Sequence, residues 1–197
     1  MLERLVLASH NKKKAGELRA ILEPLGVHLL GLSDFPGAPE PVEDGDSFEA
    51  NALIKACSAL AHTGEAAVAD DSGLMVDALD GAPGVYSARF AGEDADDAAN
   101  NALLLEKLSG VPPEKRGAKF VSVVALALPG GESALFRGET HGTILDSPRG
   151  AGGFGYDPLF LSLDLGVSFA EADPEAKNRI SHRARALAGL LEWLERR

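Results

Sequence analysis

Four polar segments of the sequence contain residue types that bind phosphate, a metal ion or a flat ring. The first is Ser-His-Asn-Lys-Lys-Lys at residues 9–14, between a short apolar run and a helical pattern. The free amides of a helix N-terminus attract anions, and lysines there oppose the helix dipole, so a bound anion would offset their cost. The alternative is a solvated basic patch. The GxxxxGK[ST] pattern of a P-loop is absent.

The second segment is Asp-Asp-Ser-Gly at residues 70–73, directly after the apolar run 66–69. Carboxylates of this kind suit Mg²⁺, which keeps several waters and completes its shell with substrate phosphates. The acidic loop at residues 43–46 could supply a further carboxylate. The alternative is a plain turn in which an aspartate acts as a cap.

The third segment is the glycine-rich loop at residues 152–158, which contains Phe154 and Tyr156. Glycines permit close backbone approach to a planar ligand, and an aromatic ring can stack on a base. The alternative is a rigid loop in which the two rings are core anchors.

The fourth segment joins Lys177 to Ser181, His182 and Arg183, where the last helix is expected to begin. Ser181 can cap that helix, and the next two side chains offer hydrogen-bond donors to a carbonyl or a phosphate. The alternative is an exposed polar face.

Apolar periodicity around these segments predicts strands and helices in alternation, followed by a hairpin. We expect strands at 5–8, 27–32 and 66–69, an apolar stretch at 74–79, and a hairpin of 120–128 with 134–144. Helices are expected from 11 to 25, 47 to 61 (begun by Asp46 with Glu49 as a capping box) and 97 to 108, with one last helical stripe from Ile180 to Leu194. This order predicts an α/β fold with a mixed sheet, and no linker divides the chain, so we expect a single domain over 1–197.

Composition narrows the functional classes further. The chain has 197 residues, 45% of them hydrophobic, and a net charge of -11, which is typical of a soluble globular protein and argues against nucleic-acid or anionic-membrane binding. No apolar run is long enough to span a membrane and no signal-peptide pattern is present, so a cytoplasmic protein is expected. The single cysteine, Cys57, excludes an intramolecular disulfide, and its alanine-rich helical segment predicts that it is buried.

Taken in order, five stretches resemble the family of inosine/xanthosine triphosphate pyrophosphatases: SHNKKKAGEL, FEANALIKA, ADDSGLMVDALDGAPGVYSARFAG, GGFGYDPLF and NRISHRARAL. The resemblance implies an elongated mixed β-sheet flanked by helices, with a nucleotide cleft between two lobes. It also implies Mg²⁺-dependent hydrolysis of ITP, dITP and XTP to the monophosphate and pyrophosphate, by a homodimer. The chain departs from the family in having Ser-His-Asn where many relatives have Thr-Gly-Asn or similar.

The resemblance also assigns roles to residues. Asp71 corresponds to the catalytic acid/base carboxylate that touches the metal, and Glu43 to the other metal-associated carboxylate. The positions assigned to the substrate are Ser9, His10, Asn11, Lys12, Lys13, Lys14, Lys55, Ser72, Arg89, Phe154, Gly155, Tyr156, Asp157, Lys177, His182 and Arg183.

Two other classes of function compete with an enzyme. A non-catalytic nucleotide-binding module would keep Lys14, Lys55 and the Phe154 loop but could lose the carboxylates, and here both Glu43 and Asp71 are present. Nucleic-acid binding through the three consecutive lysines is disfavoured by the acidic charge and by the lack of a continuous basic stripe.

Overall fold

The computed structural model describes residues 2–9, 15–16, 18–19, 22, 26–39 and 41–196. The predicted phosphate-binding residues His10, Asn11, Lys12, Lys13 and Lys14 therefore lie outside the described residues. The strands are β1 (Arg4–Leu7), β2 (His28–Gly31), β3 (Ala67–Val76), β4 (Gly117–Ala127), β5 (Ser133–Ile144) and β6 (Phe160–Ser162). The helices are α1 (Phe48–Thr63), α2 (Asp97–Lys107), α3 (Pro174–Ile180) and α4 (His182–Glu195), and short 3-10 helices cover Leu32–Asp34, Asp77–Leu79, Gly84–Arg89 and Pro113–Lys115.

The strands form a mixed sheet in the order β2-β1-β3-β4-β5-β6. Strand β1 pairs in parallel with both β2 and β3, whereas β5 pairs antiparallel with β6. The predicted hairpin is present as β4 and β5, and its turn is closed by a hydrogen bond from Leu128 N to Glu132 O of 2.9 Å. The α/β class with a mixed sheet and flanking helices is thus confirmed.

The chain packs as two compact units. The first comprises the described residues of Met1–Asp71, Val123–Arg137 and Ala186–Arg197, and the second comprises Ser72–Ser122 and Gly138–Arg185. Each unit has a buried apolar core of its own. The core of the first unit is built from residues such as Leu5, Leu22, Val68, Leu126 and Leu190, and that of the second from Leu74, Leu104, Leu159, Phe160 and Phe169.

Strand β3 corrects one expectation. The sequence predicts that the strand ends before residue 70, but β3 continues from Ala67 to Val76 through Asp70 and Asp71. A run of polar residues is locally typical of a turn, whereas strand pairing is decided by contacts with distant segments. The two aspartates therefore stand within a strand, whose extended backbone directs successive side chains to opposite faces.

The end of the chain corrects a second expectation. The apolar stripe from residue 180 to 194 predicts one helix, but the backbone breaks at Ser181, which is extended at φ -64 and ψ 153. Ser181 Oγ accepts a hydrogen bond from Ala184 N at 3.2 Å, so the predicted cap is present at the start of α4. Ile180 belongs to α3 and packs against the core of the second unit.

Helix α1 begins and ends through local interactions. Its N-cap is Ser47 rather than Asp46, because Ser47 Oγ accepts a hydrogen bond from Ala50 N, and Gly64 ends the helix in the left-handed conformation at φ 71. The buried side of the helix includes Ala52, Ala56 and Ala59. Cys57 lies off that side and is exposed, so the prediction that it is buried was wrong. No helix of the described residues is long and apolar enough to cross a membrane.

Candidate active site

A lysine and two carboxylates from distant parts of the sequence meet in the first unit. Lys55 Nζ of α1 lies 2.9 Å from Asp71 Oδ1 of β3 and 3.2 Å from Glu43 Oε2 of the preceding loop. The side chains of Lys55 and Asp71 are each 14% exposed, whereas Glu43 is 39% exposed. A nearly buried ion pair thus opens toward solvent on the Glu43 side.

Asn51 holds the acidic loop in place. It lies one helical turn before Lys55, is 2% exposed, and its Oδ1 accepts a hydrogen bond of 2.9 Å from Gly45 N. A Cβ at Gly45 would lie only 2.6 Å from Asn51 Oδ1 and 2.7 Å from Ala50 Cβ, so glycine permits this approach. Because Glu43 lies two residues before Gly45 in the same loop, this packing also restrains the position of Glu43. The FEANALIKA stretch predicted a role for Lys55 but none for Asn51, although Asn51 lies in the same motif.

The cluster has more carboxylates than cations, and this imbalance affects the pKa values of Asp71 and Lys55. Burial raises the pKa of the Asp71 carboxyl, and the opposing attraction of Lys55 does not fully reverse the effect. The Asn51 amide also favours the ionised form of Asp71. Burial acts to lower the pKa of Lys55, but the combined attraction of Asp71, Glu43 and Asp70 outweighs it and the pKa is raised. One ammonium group therefore faces an excess of negative charge.

A cavity of about 210 Å³ adjoins the same cluster. Its polar lining includes Ser9, Glu43, Lys55, Ser58 and Asp70, and its apolar wall is formed by Ala8, Leu32, Ala38, Pro39, Pro41 and Ala59. The structure thus brings Ser9 of the predicted phosphate-binding turn to the cavity that Lys55 and Glu43 line. Ser58 had no predicted role.

The donor set of this cluster fits a hard divalent cation. Asp71 Oδ2 is buried and accepts no hydrogen bond of normal length from a described residue. Within the described part of the chain, no group of three or more histidine, cysteine, aspartate or glutamate side chains is arranged as a complete metal site. Mg²⁺ does not need one, because it binds through one or two carboxylates and takes its other ligands from water and phosphate.

A second group of predicted residues meets in the second unit. Asp157 is buried, and its Oδ2 accepts a hydrogen bond of 2.8 Å from Phe154 N and an ion-paired one from Lys177 Nζ. Lys177 Nζ also lies 5.2 Å from the ring centroid of Phe154 and 5.1 Å from that of Phe169. Phe154 as a whole residue is 57% exposed. A buried carboxylate thus fixes both a cation and the backbone that carries an exposed aromatic face.

The neighbours of Phe154 are anchored in different ways. Tyr156 is buried and its hydroxyl donates to Ser87 O at 2.8 Å, and burial raises the pKa of this phenol, so it remains a donor. Gly155 is held from α2, because Gly155 N donates to Asp97 Oδ2 at 2.6 Å and Asn101 Nδ2 donates to Gly155 O at 2.9 Å. Asp97 and Asn101 had no role predicted from the sequence.

The remaining predicted residues occupy other surroundings. The His182 ring stacks on Phe120, with centroids 5.0 Å apart and planes at 16°, and Arg183 follows it, partly buried, in the first turn of α4. Arg89 ends a 3-10 helix, with its guanidinium carbon 5.3 Å from the Tyr86 ring centroid and its Nε 3.5 Å from Glu93 Oε1. Ser72 follows Asp71 in β3 and is partly buried.

Comparison with known proteins identifies the family. The model of the Ham1 family matches residues 5–193. The chain belongs to the Ham1 family. It is 58% identical over 193 residues to the dITP/XTP pyrophosphatase of Geobacter sulfurreducens, with 98% of this chain and 97% of that protein covered.

Solved structures of Ham1 proteins share the fold. The chain superposes on a HAM1 protein from Coxiella burnetii with a TM-score of 0.94 at 40% identity, covering 100% of both chains. It also matches a nucleoside-triphosphatase, or dITP/XTP pyrophosphatase, from Mycobacterium abscessus with a TM-score of 0.85 at 52% identity, covering 97% of this chain and 99% of that one. The family expected from the motifs is confirmed.

Proposed function

We propose that this Ham1 protein hydrolyses the non-canonical purine nucleoside triphosphates ITP, dITP and XTP to the nucleoside monophosphate and pyrophosphate. The observation that carries the proposal is the cluster of Lys55, Asp71 and Glu43 beside a cavity in the first unit. Relatives that match nearly the whole chain carry the name dITP/XTP pyrophosphatase, which supports the same activity here.

The residues of the first unit account for the phosphate chemistry. Lys55 neutralises part of the triphosphate charge, which makes the α-phosphorus more accessible to a nucleophile. Asp71 orients a water molecule and accepts its proton, a role suited to a carboxylate whose pKa is raised by burial. Ser9 and the lysines of residues 12–14 are proposed to bind the distal phosphates, because a hydroxyl and ammonium groups donate hydrogen bonds to phosphate oxygens.

Glu43 and Asp71 are the residues proposed to hold Mg²⁺. When bound, the ion would supply positive charge that stabilises the negative charge of the phosphates and of the departing pyrophosphate. The buried Asp71 Oδ2, which accepts no hydrogen bond of normal length from a described residue, and the excess of carboxylates around Lys55 support this assignment.

The residues of the second unit account for recognition of the base. Phe154 offers an exposed ring for stacking, and Lys177, His182 and Arg183 offer donors to the 6-carbonyl of hypoxanthine or xanthine. Adenine carries an amino group at that position and would leave those donors unpaired, which is a strong source of discrimination. Gly155, Tyr156 and Asp157 shape the loop around Phe154, and Ser72 and Arg89 complete the proposed set of contacts.

Three further expectations accompany the proposal. The chain is proposed to function as a single domain over 1–197, as a homodimer and in the cytoplasm. Each follows from the resemblance or from the composition and stays a prediction.

The proposal is tested by pyrophosphate release from a panel of nucleoside triphosphates. The purified full chain is assayed with dITP, ITP and XTP against dATP, dGTP, dCTP and dTTP, with Mg²⁺ and with excess chelator. We expect release from the first three substrates in Mg²⁺ and much less from the others. Equal rates across the panel, or undiminished release in chelator, would contradict the proposed substrate class or the proposed cofactor respectively.

A further inference from the structure

Two side chains of α2 hydrogen-bond to the N–H and the C=O of Gly155, in the glycine-rich loop at residues 152–158 that carries Phe154. Asp97 and Asn101 stand one helical turn apart, so they project from the same side of the helix. The N–H of Gly155 donates to Asp97 Oδ2 at 2.6 Å, and the C=O of Gly155 accepts from Asn101 Nδ2 at 2.9 Å. The two bonds therefore fix the peptide planes on either side of the Gly155 Cα atom.

Packing alone does not restrain this glycine. Gly155 has φ +59, and no heavy atom lies within 4 Å of the place where its Cβ would be. Glycine tolerates many backbone conformations, so the two hydrogen bonds restrain a position that the anchoring of Phe154 N by Asp157 and of the Tyr156 hydroxyl by Ser87 does not itself fix. The preceding residue is Phe154, whose ring is exposed and whose direction depends on the Phe154–Gly155 peptide plane.

Helix α2, which carries Asp97 and Asn101, is itself held in place by a cap and by core packing. Asp96 caps it by accepting a hydrogen bond from Ala99 N at 2.8 Å, and Leu104 is fully buried in the core of the second unit. Asn100 is buried and fixes the segment of Arg89, since it donates to Ala88 O at 3.1 Å and accepts from Ala91 N at 2.8 Å. One short helix thus restrains both loops that the proposed function assigns to the substrate in this unit.

We propose that Asp97 and Asn101 are positioning residues that set the discrimination between purine bases by holding the Gly155 peptide. This inference rests on the proposed function, because it takes Phe154 as the ring that stacks on the base. When both hydrogen bonds to Gly155 are present, the Phe154 ring is already oriented next to Lys177 before a base binds. Without these hydrogen bonds, binding of a base must first order the loop. The difference in affinity between bases with a 6-carbonyl and bases with a 6-amino group then becomes smaller.

The experiment compares substitutions that remove one bond each. Asn101→Ala removes the donor while raising intrinsic helix propensity, so α2 is expected to persist. Asp97→Ala removes the acceptor, and Asp97→Asn keeps an acceptor oxygen and is the conservative rescue. Glu106→Ala, at an exposed position of the same helix, is the matched control. For each protein, KM and kcat are measured with dITP and dATP, together with the inhibition constant of tripolyphosphate, a probe without a base, and the thermal midpoint.

We expect Asn101→Ala and Asp97→Ala to raise KM for dITP by about fivefold to tenfold and to lower the dITP/dATP ratio of kcat/KM, as the loss of one hydrogen bond predicts. The kcat for dITP and the tripolyphosphate constant should stay close to those of the unaltered chain, Asp97→Asn should restore most of the ratio, and Glu106→Ala should change nothing. An unchanged ratio in both alanine variants, or an equal loss of tripolyphosphate and dITP binding, would overturn the positioning role. If the unaltered chain itself does not prefer dITP over dATP, the proposed function fails, which is a separate outcome.

Discussion

Lys55 Nζ lies 2.9 Å from Asp71 Oδ1, although the two residues are 16 positions apart in the sequence. The same nitrogen is 3.2 Å from Glu43 Oε2, so a helix, a strand and a loop converge on one ammonium group. Burial raises the pKa of Asp71 and acts to lower that of Lys55, but the attraction of the surrounding carboxylates outweighs burial at Lys55, so both pKa values are raised. The pair is therefore sensitive to the removal of either partner.

Replacing Lys55 by methionine should destabilise the metal-free protein more at higher pH. The pKa of Asp71 is already raised in the folded state, and loss of the cation raises it further, whereas the unfolded chain keeps the ordinary value. A carboxyl with a raised folded-state pKa costs stability once the pH exceeds its unfolded pKa, and the cost grows until the pH passes the folded-state value. We expect Lys55→Met to lower the free energy of unfolding by about 1–3 kcal/mol near neutral pH and by less near the pKa of a normal carboxyl.

Urea unfolding in chelator at about pH 5 and about pH 8 measures this difference. Lys119→Met is the matched control, because Lys119 pairs with Glu139 at 3.0 Å with both side chains more exposed. Its cost should be small, below about 1 kcal/mol. A Lys55→Met penalty of the same size at both pH values would contradict the raised pKa of Asp71.

Replacing Gly45 by alanine should lower activity through the acidic loop. The new Cβ would clash with Asn51 Oδ1 and Ala50 Cβ, both of which belong to α1, so the loop must move away and take Glu43 with it. We expect kcat to fall by at least about tenfold, because displacement of a group in the site by a fraction of its own size lowers the rate strongly. We also expect a higher Mg²⁺ concentration to be required for the half-maximal rate. Steady-state kinetics over a Mg²⁺ titration provide the measurement.

Val42→Ala is the control in the same loop, since Val42 is an exposed side chain. It should retain the kinetics and the Mg²⁺ dependence of the unaltered chain. Normal turnover in Gly45→Ala would mean that Glu43 does not need the position in which the glycine places it.

Replacing Phe154 by alanine should weaken binding of the base with little effect on stability. The ring is largely exposed, so its removal leaves no buried cavity, whereas stacking on a base is worth about 1–3 kcal/mol. We expect KM for dITP to rise by about fivefold or more and the thermal midpoint to change little. Leu163→Ala, at another exposed apolar position, should leave KM unchanged. A large loss of thermal stability with normal KM would identify Phe154 as a structural residue.

Replacing Arg183 by alanine should narrow the difference between dITP and dATP. A donor to the 6-carbonyl strengthens binding of hypoxanthine and is left unpaired by adenine, so its loss affects dITP more. The ratio of kcat/KM values for the two substrates is the measurement, and we expect it to fall by about tenfold. Arg179→Ala, at an exposed position of α3, is the control. If both arginine variants keep the original ratio, Arg183 does not recognise the base.

Local patterns in the sequence were sufficient for the elements that local interactions determine. The polar residues before α1 and the glycine at its end predicted that helix, and the Pro-Gly-Gly-Glu turn predicted the hairpin of β4 and β5. Residues that belong to a strand only because they pair with segments far away in the sequence were harder to predict. The polar run at Asp70 and Asp71 has the composition of a turn, and only pairing along the sheet makes it part of β3.

The motifs likewise included the charged residues that the structure brings together, but not the groups that hold the backbone around them. Asn51 bonds to a backbone N–H of Gly45, and Asp97 and Asn101 bond to the backbone of Gly155. Such partners are invisible in a sequence, because every residue has a peptide group and only the fold decides which one comes near. The break at Ser181 was missed for the related reason that the apolar stripe continues across it.

Hydrolysis of dITP in water enriched in oxygen-18 would show which phosphorus is attacked and whether Asp71 is required. Products of the unaltered chain and of Asp71→Asn are compared by mass spectrometry, with nucleotide binding of the variant checked separately. Attack of water on the α-phosphorus, with Asp71 as the base, predicts one labelled oxygen in dIMP, none in pyrophosphate, and almost no product from a variant that still binds nucleotide. Label in pyrophosphate or inorganic phosphate, or turnover by Asp71→Asn at the normal rate, would contradict the mechanism.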